Sequence, residues 1–200
     1  LTPVAEYPYN KAEKLFQEEK MNAVILFGSP RKNGNTVELA RAVAETLKEK
    51  GWGVRTLYLN DMNIRPCQGC YTCLPDGVCR INDDMKDVRK YIAESDLIVY
   101  ATPIYWFGPS SQLKLAMDRS IAFMDENYNS RIEGKKAVTL TTFGDENMDT
   151  CAPAIEMFRK TFDLLKVVYA GRVDVPGCQG EGNIGQGYKD KARALAESLA

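Results

Sequence analysis

Apolar residues in this chain fall into short bursts separated by polar stretches with a helical repeat. The run AVILF from Ala23 to Phe27 predicts a strand, broken by the Gly, Pro and Asn residues of GSPRKNGN. From about Thr36, the residues Val37, Ala40, Ala44 and Leu47 recur at helical spacing, and the helix they predict stops near Gly51. The strand VRTLYL follows at 54–59. After a cysteine-bearing segment, Asp83 or Asp84 can cap a helix through Val88 and Ile92, and LIVYA at 97–101 reads as a second continuous apolar strand. A helix over about 109–124, the strand AVTLTT at 137–142, a helix over about 152–165, the strand VVYAGRV at 167–173 and a last helix over roughly 188–199 complete the pattern.

Each parallel strand pair needs a helix-sized crossover, so five strands alternating with five helices predict an α/β three-layer sandwich. A five-stranded parallel sheet of order 2-1-3-4-5 suits this length. No repeat or linker divides the chain, so residues 21–200 are expected to form one domain. Residues 1–20, polar with aromatics at Tyr7, Tyr9 and Phe16, precede a Met21 that reads like a natural start and are taken as an N-terminal extension. The glycine-rich GCQGEGNIGQG at 177–187 is expected to be a mobile surface loop.

With 26 basic and 27 acidic residues the formal charge is −1, which offers no field for nucleic acid or anionic lipid. No apolar run approaches the roughly 20 residues of a membrane span, and no basic-plus-apolar leader begins the chain, so a cytoplasmic protein with no membrane partner is expected. The chain contains no histidine, which removes imidazole bases and Ser-His or Cys-His nucleophiles.

In an open parallel sheet, ligands collect at the carboxyl ends of the strands. The loop there after the first strand, Gly28 to Thr36, offers hydroxyls at Ser29 and Thr36, the Arg31 guanidinium, amides at Asn33 and Asn35, and the N–H groups of a helix start. All can donate to a phosphate; a tight turn with a helix cap would use the same residues. The loop is neither GxxxxGK[ST] nor GxGxxG, which points away from ATP and tightly held NAD and towards a monophosphate. After LIVYA come Pro103, Ile104, Tyr105, Trp106 and Phe107, and the flat faces of the three aromatics suit an isoalloxazine ring or, alternatively, packing against the sheet or another subunit.

Cys67, Cys70, Cys73 and Cys79 offer soft thiolates in the spacing x2, x2, x5. This approaches the bacterial ferredoxin run, with a 4Fe-4S cluster as one reading. Structural zinc is a second, although its ligands usually come as two separated pairs, and unligated thiols shaping a pocket are a third. Cys151 and Cys178 match no ligand spacing and read as small hydrophobes, with no disulfide expected.

The loop GSPRKNGNT, the pattern Pro103-x-Tyr105-Trp106, Pro109, Leu113-Lys114, Asp118-Arg119, and the run PCQGC from Pro66 through the acidic pair Asp83-Asp84 together resemble the NADPH-dependent FMN reductase and iron-sulfur flavoprotein families over nearly all of residues 21–175. The resemblance implies a flavodoxin-like fold with FMN, its ring lined by residues 103–107. It also implies contact from the loop holding Thr142 and Gly144, where Phe143 and Asp145-Glu146 depart from the family's glycines. Homodimers or homotetramers are implied as well. Lys114, Asp118 and Arg119, at i, i+4 and i+5, read as a salt-bridged helix face.

A flavin needs no protein base, so a histidine-free site suffices. The leading expectation is an FMN-dependent NAD(P)H oxidoreductase reducing a quinone, free flavin, iron complex or protein acceptor. The alternative is an iron-sulfur flavoprotein carrying single electrons with ferredoxin-like partners. A regulatory protein of the same fold without flavin is the third.

Overall fold

The computed structural model describes residues 20–182 and 184–200, so almost all of the expected N-terminal extension lies outside the described residues. The strands are β1 (Asn22–Phe27), β2 (Gly53–Tyr58), β3 (Leu97–Tyr105), β4 (Gly108–Pro109), β5 (Lys136–Thr142) and β6 (Val168–Val175). The helices are α1 (Asn35–Glu49), α2 (Met85–Glu94), α3 (Ser111–Asp118), α4 (Ala152–Leu164) and α5 (Gln186–Leu199).

The sheet runs β2-β1-β3-β5-β6, all parallel, and the two-residue β4 folds back antiparallel on β3. The five long strands thus have the expected flavodoxin-like order. The period of two along each strand feeds two cores. In β1, Ala23, Ile25 and Phe27 face α1 and α5, whereas Val24 and Leu26 face the side covered by α2, α3 and α4. β3 repeats this with Leu97, Val99 and Ala101 on one face and Ile98 and Tyr100 on the other. Strands buried on both faces cannot alternate apolar with polar, which is why AVILF and LIVYA read as unbroken apolar runs.

The structure departs from the sequence reading around residue 105. β3 continues to Tyr105, so Thr102 to Tyr105 are strand rather than loop, and Gly108-Pro109 form a strand where a helix start was expected. The helix begins instead at Ser111, because the Ser110 hydroxyl accepts from the Leu113 N–H at 3.4 Å. It ends at Asp118 and tightens into a 3-10 turn over Arg119–Phe123, which carries Arg119 inwards. A register shift between Ala137 and Val138 interrupts the β5–β6 ladder. No described helix is long and apolar enough to cross a membrane.

Candidate functional site

The reversal of strand order lies between β1 and β3, and at their carboxyl ends the chain opens a cavity of about 280 Å³. β1 delivers Ser29, Arg31, Gly34, Asn35 and Thr36; β3 delivers Pro103, Ile104 and Tyr105; β5 delivers Thr142, Phe143 and Gly144.

Gly28 brings the first two groups together. Its N–H donates to Ala101 O at 2.8 Å, and its own carbonyl accepts the Ser110 hydroxyl at 2.6 Å. A Cβ here would stand 2.8 Å from both Leu113 Cβ and Ser110 Oγ, so only glycine lets β1 pass this close to the start of α3. Thr36 and Thr142, both buried, share a 2.6 Å hydroxyl–hydroxyl bond that ties the first loop to the third. Whichever hydroxyl donates, the accepting one keeps its own proton for another partner.

Several features of the cavity suit a phosphate. Among the described residues no side chain caps α1, whose N-cap is Gly34, and the positive end of that helix faces the cavity at Gly34, Asn35 and Thr36. The Ser29 hydroxyl is oriented by Arg31, accepting from its N–H and donating to its carbonyl, each at 3.2 Å. The exposed Arg31 side chain adds a cation at the rim.

Asn33, Trp106 and Phe107 do not line the cavity. Trp106 and Phe107 form the tip of the β3–β4 hairpin with positive φ of 49° and 64°. Trp106 is 94% exposed. Two bulky residues in the left-handed region are strained, a cost usually met where the chain has a use for the exposed group.

The glycine-rich segment forms a wall that sequence reasoning missed. Gly180 and Cys178 line the cavity, and Ile184 is buried, its N–H donating to Glu38 at 3.4 Å. A Cβ on Gly182 would meet Asn33 O at 2.8 Å with φ of +42°, so glycine content here marks close approach to the loop after β1. Burial pushes the Cys178 thiol above its usual pKa, consistent with a small hydrophobe. Cys178 is half-buried and Cys151 fully buried, and all six cysteines are free thiols.

A second cavity, of about 230 Å³, is lined by Cys67, Cys70, Cys73 and Cys79 together with Tyr71, Asp118, Arg119 and Ile121. The loop carrying the cysteines is pinched shut at its base: Arg65 N–H donates to Asp83 at 2.9 Å and Asn63 N–H to Asp84 at 2.7 Å. Asp83 and Asp84, expected as helix caps, therefore also fasten this loop, although Asp83 does accept the Met85 N–H at 3.2 Å. Hydrogen bonds from the Thr72 hydroxyl and backbone push the Cys70 thiol below its usual pKa, whereas burial, reinforced by Cys79, Cys70 and Cys67, pushes Cys73 up. Among the described residues no three Cys, Asp or Glu side chains close on one point as a single ion would require.

The predicted salt-bridged face is only partly one. Lys114 pairs with Asp118 across the surface at 2.5 Å, but Arg119 turns inwards to Asp83 at 2.8 Å.

This sheet, with its cavity at the carboxyl ends of the first and third strands, defines a protein of flavodoxin-like fold. The chain belongs to the NADPH-dependent FMN reductase/iron-sulfur flavoprotein family, whose profile it matches over residues 21–182. It is 30% identical over 174 residues to an iron-sulfur flavoprotein of Methanocaldococcus jannaschii, covering 85% of this chain and 86% of that one. An iron-sulfur flavoprotein of Archaeoglobus fulgidus is 29% identical over 182 residues, covering 90% and 79% of the two chains. In fold the chain is similar to an NAD(P)H:quinone oxidoreductase from Methanothermobacter marburgensis, with a TM-score of 0.72, 20% identity, and coverage of 90% of this chain and 100% of that one.

Proposed function

We propose that FMN binds in the carboxyl-end cavity, with its phosphate on the Gly28–Thr36 loop and its ring against residues 103–107, Thr142 and Gly144. The observation that carries this reading is the convergence of the loops after β1, β3 and β5 on one cavity stocked with donors. Arg31, Ser29, Asn35, Thr36 and the start of α1 hold the phosphate; Asn33 contributes through the loop's shape. A cavity of about 280 Å³ encloses part of a nucleotide, which leaves the exposed rings of Tyr105, Trp106 and Phe107 to cover the rest. FMN held there would supply a hydride acceptor for NADH or NADPH and a donor of electrons in pairs or singly. The chain's part is to bind, orient and shield.

Cys67, Cys70, Cys73 and Cys79 are the proposed ligands of a 4Fe-4S cluster. Four thiols lining one cavity in the spacing x2, x2, x5 support this reading over zinc, whose ligands usually come as two separated pairs. The acceptor is a small molecule such as a quinone, free flavin or iron complex. The second reading, a one-electron carrier for a ferredoxin-like protein, is favoured by the same cysteine cavity. The exposed Trp106 and Phe107 fit a homodimer or homotetramer, and the free thiols fit the cytoplasm.

The test is iron, sulfide and FMN analysis of protein purified without oxygen, beside Cys67→Ser. About four irons per chain, lost in the variant while FMN stays, support the cluster. FMN without iron leaves a flavin reductase with idle thiols.

A further inference from the structure

Arg119 is among the largest fully buried side chains of the protein, with 1% of its side chain exposed. Both terminal nitrogens are engaged: Nη1 donates to Asp83 Oδ2 at 2.8 Å and to Arg65 O at 2.9 Å, and Nη2 donates to Asp83 Oδ1 at 3.1 Å. Its Nε is equally buried and, among the described residues, has no hydrogen-bond partner. A buried guanidinium N–H left unmet is costly, so its persistence calls for an explanation.

That side chain lines the cysteine cavity, whereas Asp83 does not. Burial opposes the Arg119 cation, but Asp83 holds it protonated, and negative charge on Cys79 acts in the same direction. The ion pair is therefore polarised, with its carboxylate on the Nη side, away from the cavity lining, and its cation against the thiols. The same pair grips Arg65 N–H and C=O, just before Cys67, while Asp83 itself follows Cys79, so it clamps both ends of the ligand loop.

We propose that Arg119 is the positioning residue of the four-cysteine site: its free Nε–H donates to the Cys79 sulfur once that sulfur is a metal ligand, and its cation favours the reduced form of the bound group. The inference rests on the reading of Cys67, Cys70, Cys73 and Cys79 as cluster ligands. Each electron added to a thiolate-held cluster adds negative charge, and a buried N–H donor and cation beside a ligand sulfur stabilise it, raising the reduction potential.

The experiment compares wild type, Arg119→Lys, and the double variant Arg119→Gln/Asp83→Asn, which leaves no unpaired buried charge. Each is purified and reconstituted with iron and sulfide without oxygen, assayed for iron, sulfide and FMN, and titrated reductively with mediators while its visible spectrum is followed. The double variant is expected to keep FMN but lower the cluster's midpoint, so that at the wild-type midpoint the ratio of oxidised to reduced cluster rises about tenfold, equivalent to about 59 mV for one electron. Arg119→Lys, which keeps the charge, recovers part of that shift and decides the matter if the double variant fails to fold. Loss of iron from a variant that still binds FMN supports the clamp. A variant that holds iron at an unchanged midpoint overturns the inference and leaves the pair structural only. Wild-type protein that binds FMN but no iron overturns the ligand reading itself, and this inference with it.

Discussion

Replacing Gly28 with alanine probes the crossing on which the cofactor cavity depends. The added methyl would stand 2.8 Å from Leu113 Cβ and Ser110 Oγ and 3.2 Å from Thr102 Oγ1, all on side chains with no solvent exposure. None of the three can swing away, because the Ser110 hydroxyl donates to Gly28 O at 2.6 Å and the Ser110 N–H donates to Thr102 Oγ1 at 3.0 Å. Overpacking of this kind costs about 1–3 kcal/mol, and losing the Ser110–Gly28 bond adds about 1 kcal/mol, for a total of about 2–4 kcal/mol. That is a large share of the roughly 5–15 kcal/mol of a typical domain. Urea unfolding of the FMN-free protein reads it out as a midpoint lowered by about 0.7–4 M at unchanged slope, for a slope of about 1–3 kcal/mol/M. Gly187, in the first turn of α5 with no atom within 4 Å of an added Cβ, is the control, and its alanine variant is expected to gain up to about 1 kcal/mol. Gly28→Ala within about 0.5 kcal/mol of wild type, the range of an ordinary surface change, would refute the argument from close approach.

Arg31→Ala should weaken FMN binding by about 1.5–3 kcal/mol, roughly 10- to 100-fold, in a fluorescence titration, since it removes a charge-assisted bond to phosphate. Thr36→Val and Thr142→Val should each cost about 1–3 kcal/mol in urea unfolding by stranding the other hydroxyl, and the double variant should cost less than their sum. Asp83→Asn alone should lose about 3–5 kcal/mol, because it leaves Arg119 buried and unpaired. Burial pushes the Asp83 carboxyl up, but Arg119 and the Arg65 N–H outweigh it and hold the carboxyl below the usual aspartate value of about 3.9. Its contribution is therefore fully present above about pH 4 and is lost as pH falls towards the depressed value; acid unfolding of wild type, but not of Asp83→Asn, should carry that step.

The fold was legible because both faces of the sheet are covered: strands buried on two sides must be apolar throughout, and the intervening helices must show one apolar stripe, as Val37, Ala40, Ala44 and Leu47 do. The turn after β1 was legible for a related reason, since a strand that ends in Gly, Ser and Asn before a helix has little else to make than a turn with donors, and that turn does line the cavity. The turn at 105–110 was misread because Trp106 and Phe107 adopt positive φ, against their own preference, and no local pattern announces that. The wall formed by Cys178 and Gly180 was missed because its packing on Asn33 and Glu38 is long-range and its glycines look like those of a free loop. Arg119 was assigned to a surface face because its spacing from Lys114 and Asp118 permits one, whereas its true partner, Asp83, arrives from before α2.

The reading of this chain as an FMN-dependent NAD(P)H oxidoreductase is tested most directly by adding NADH and NADPH, each in turn, to the anaerobic, FMN-loaded protein while its visible spectrum is recorded. About one FMN per chain, bleached by at least one of the two nucleotides, is the expected result. A protein that takes up no flavin on reconstitution, or whose bound flavin neither nucleotide bleaches, would contradict it.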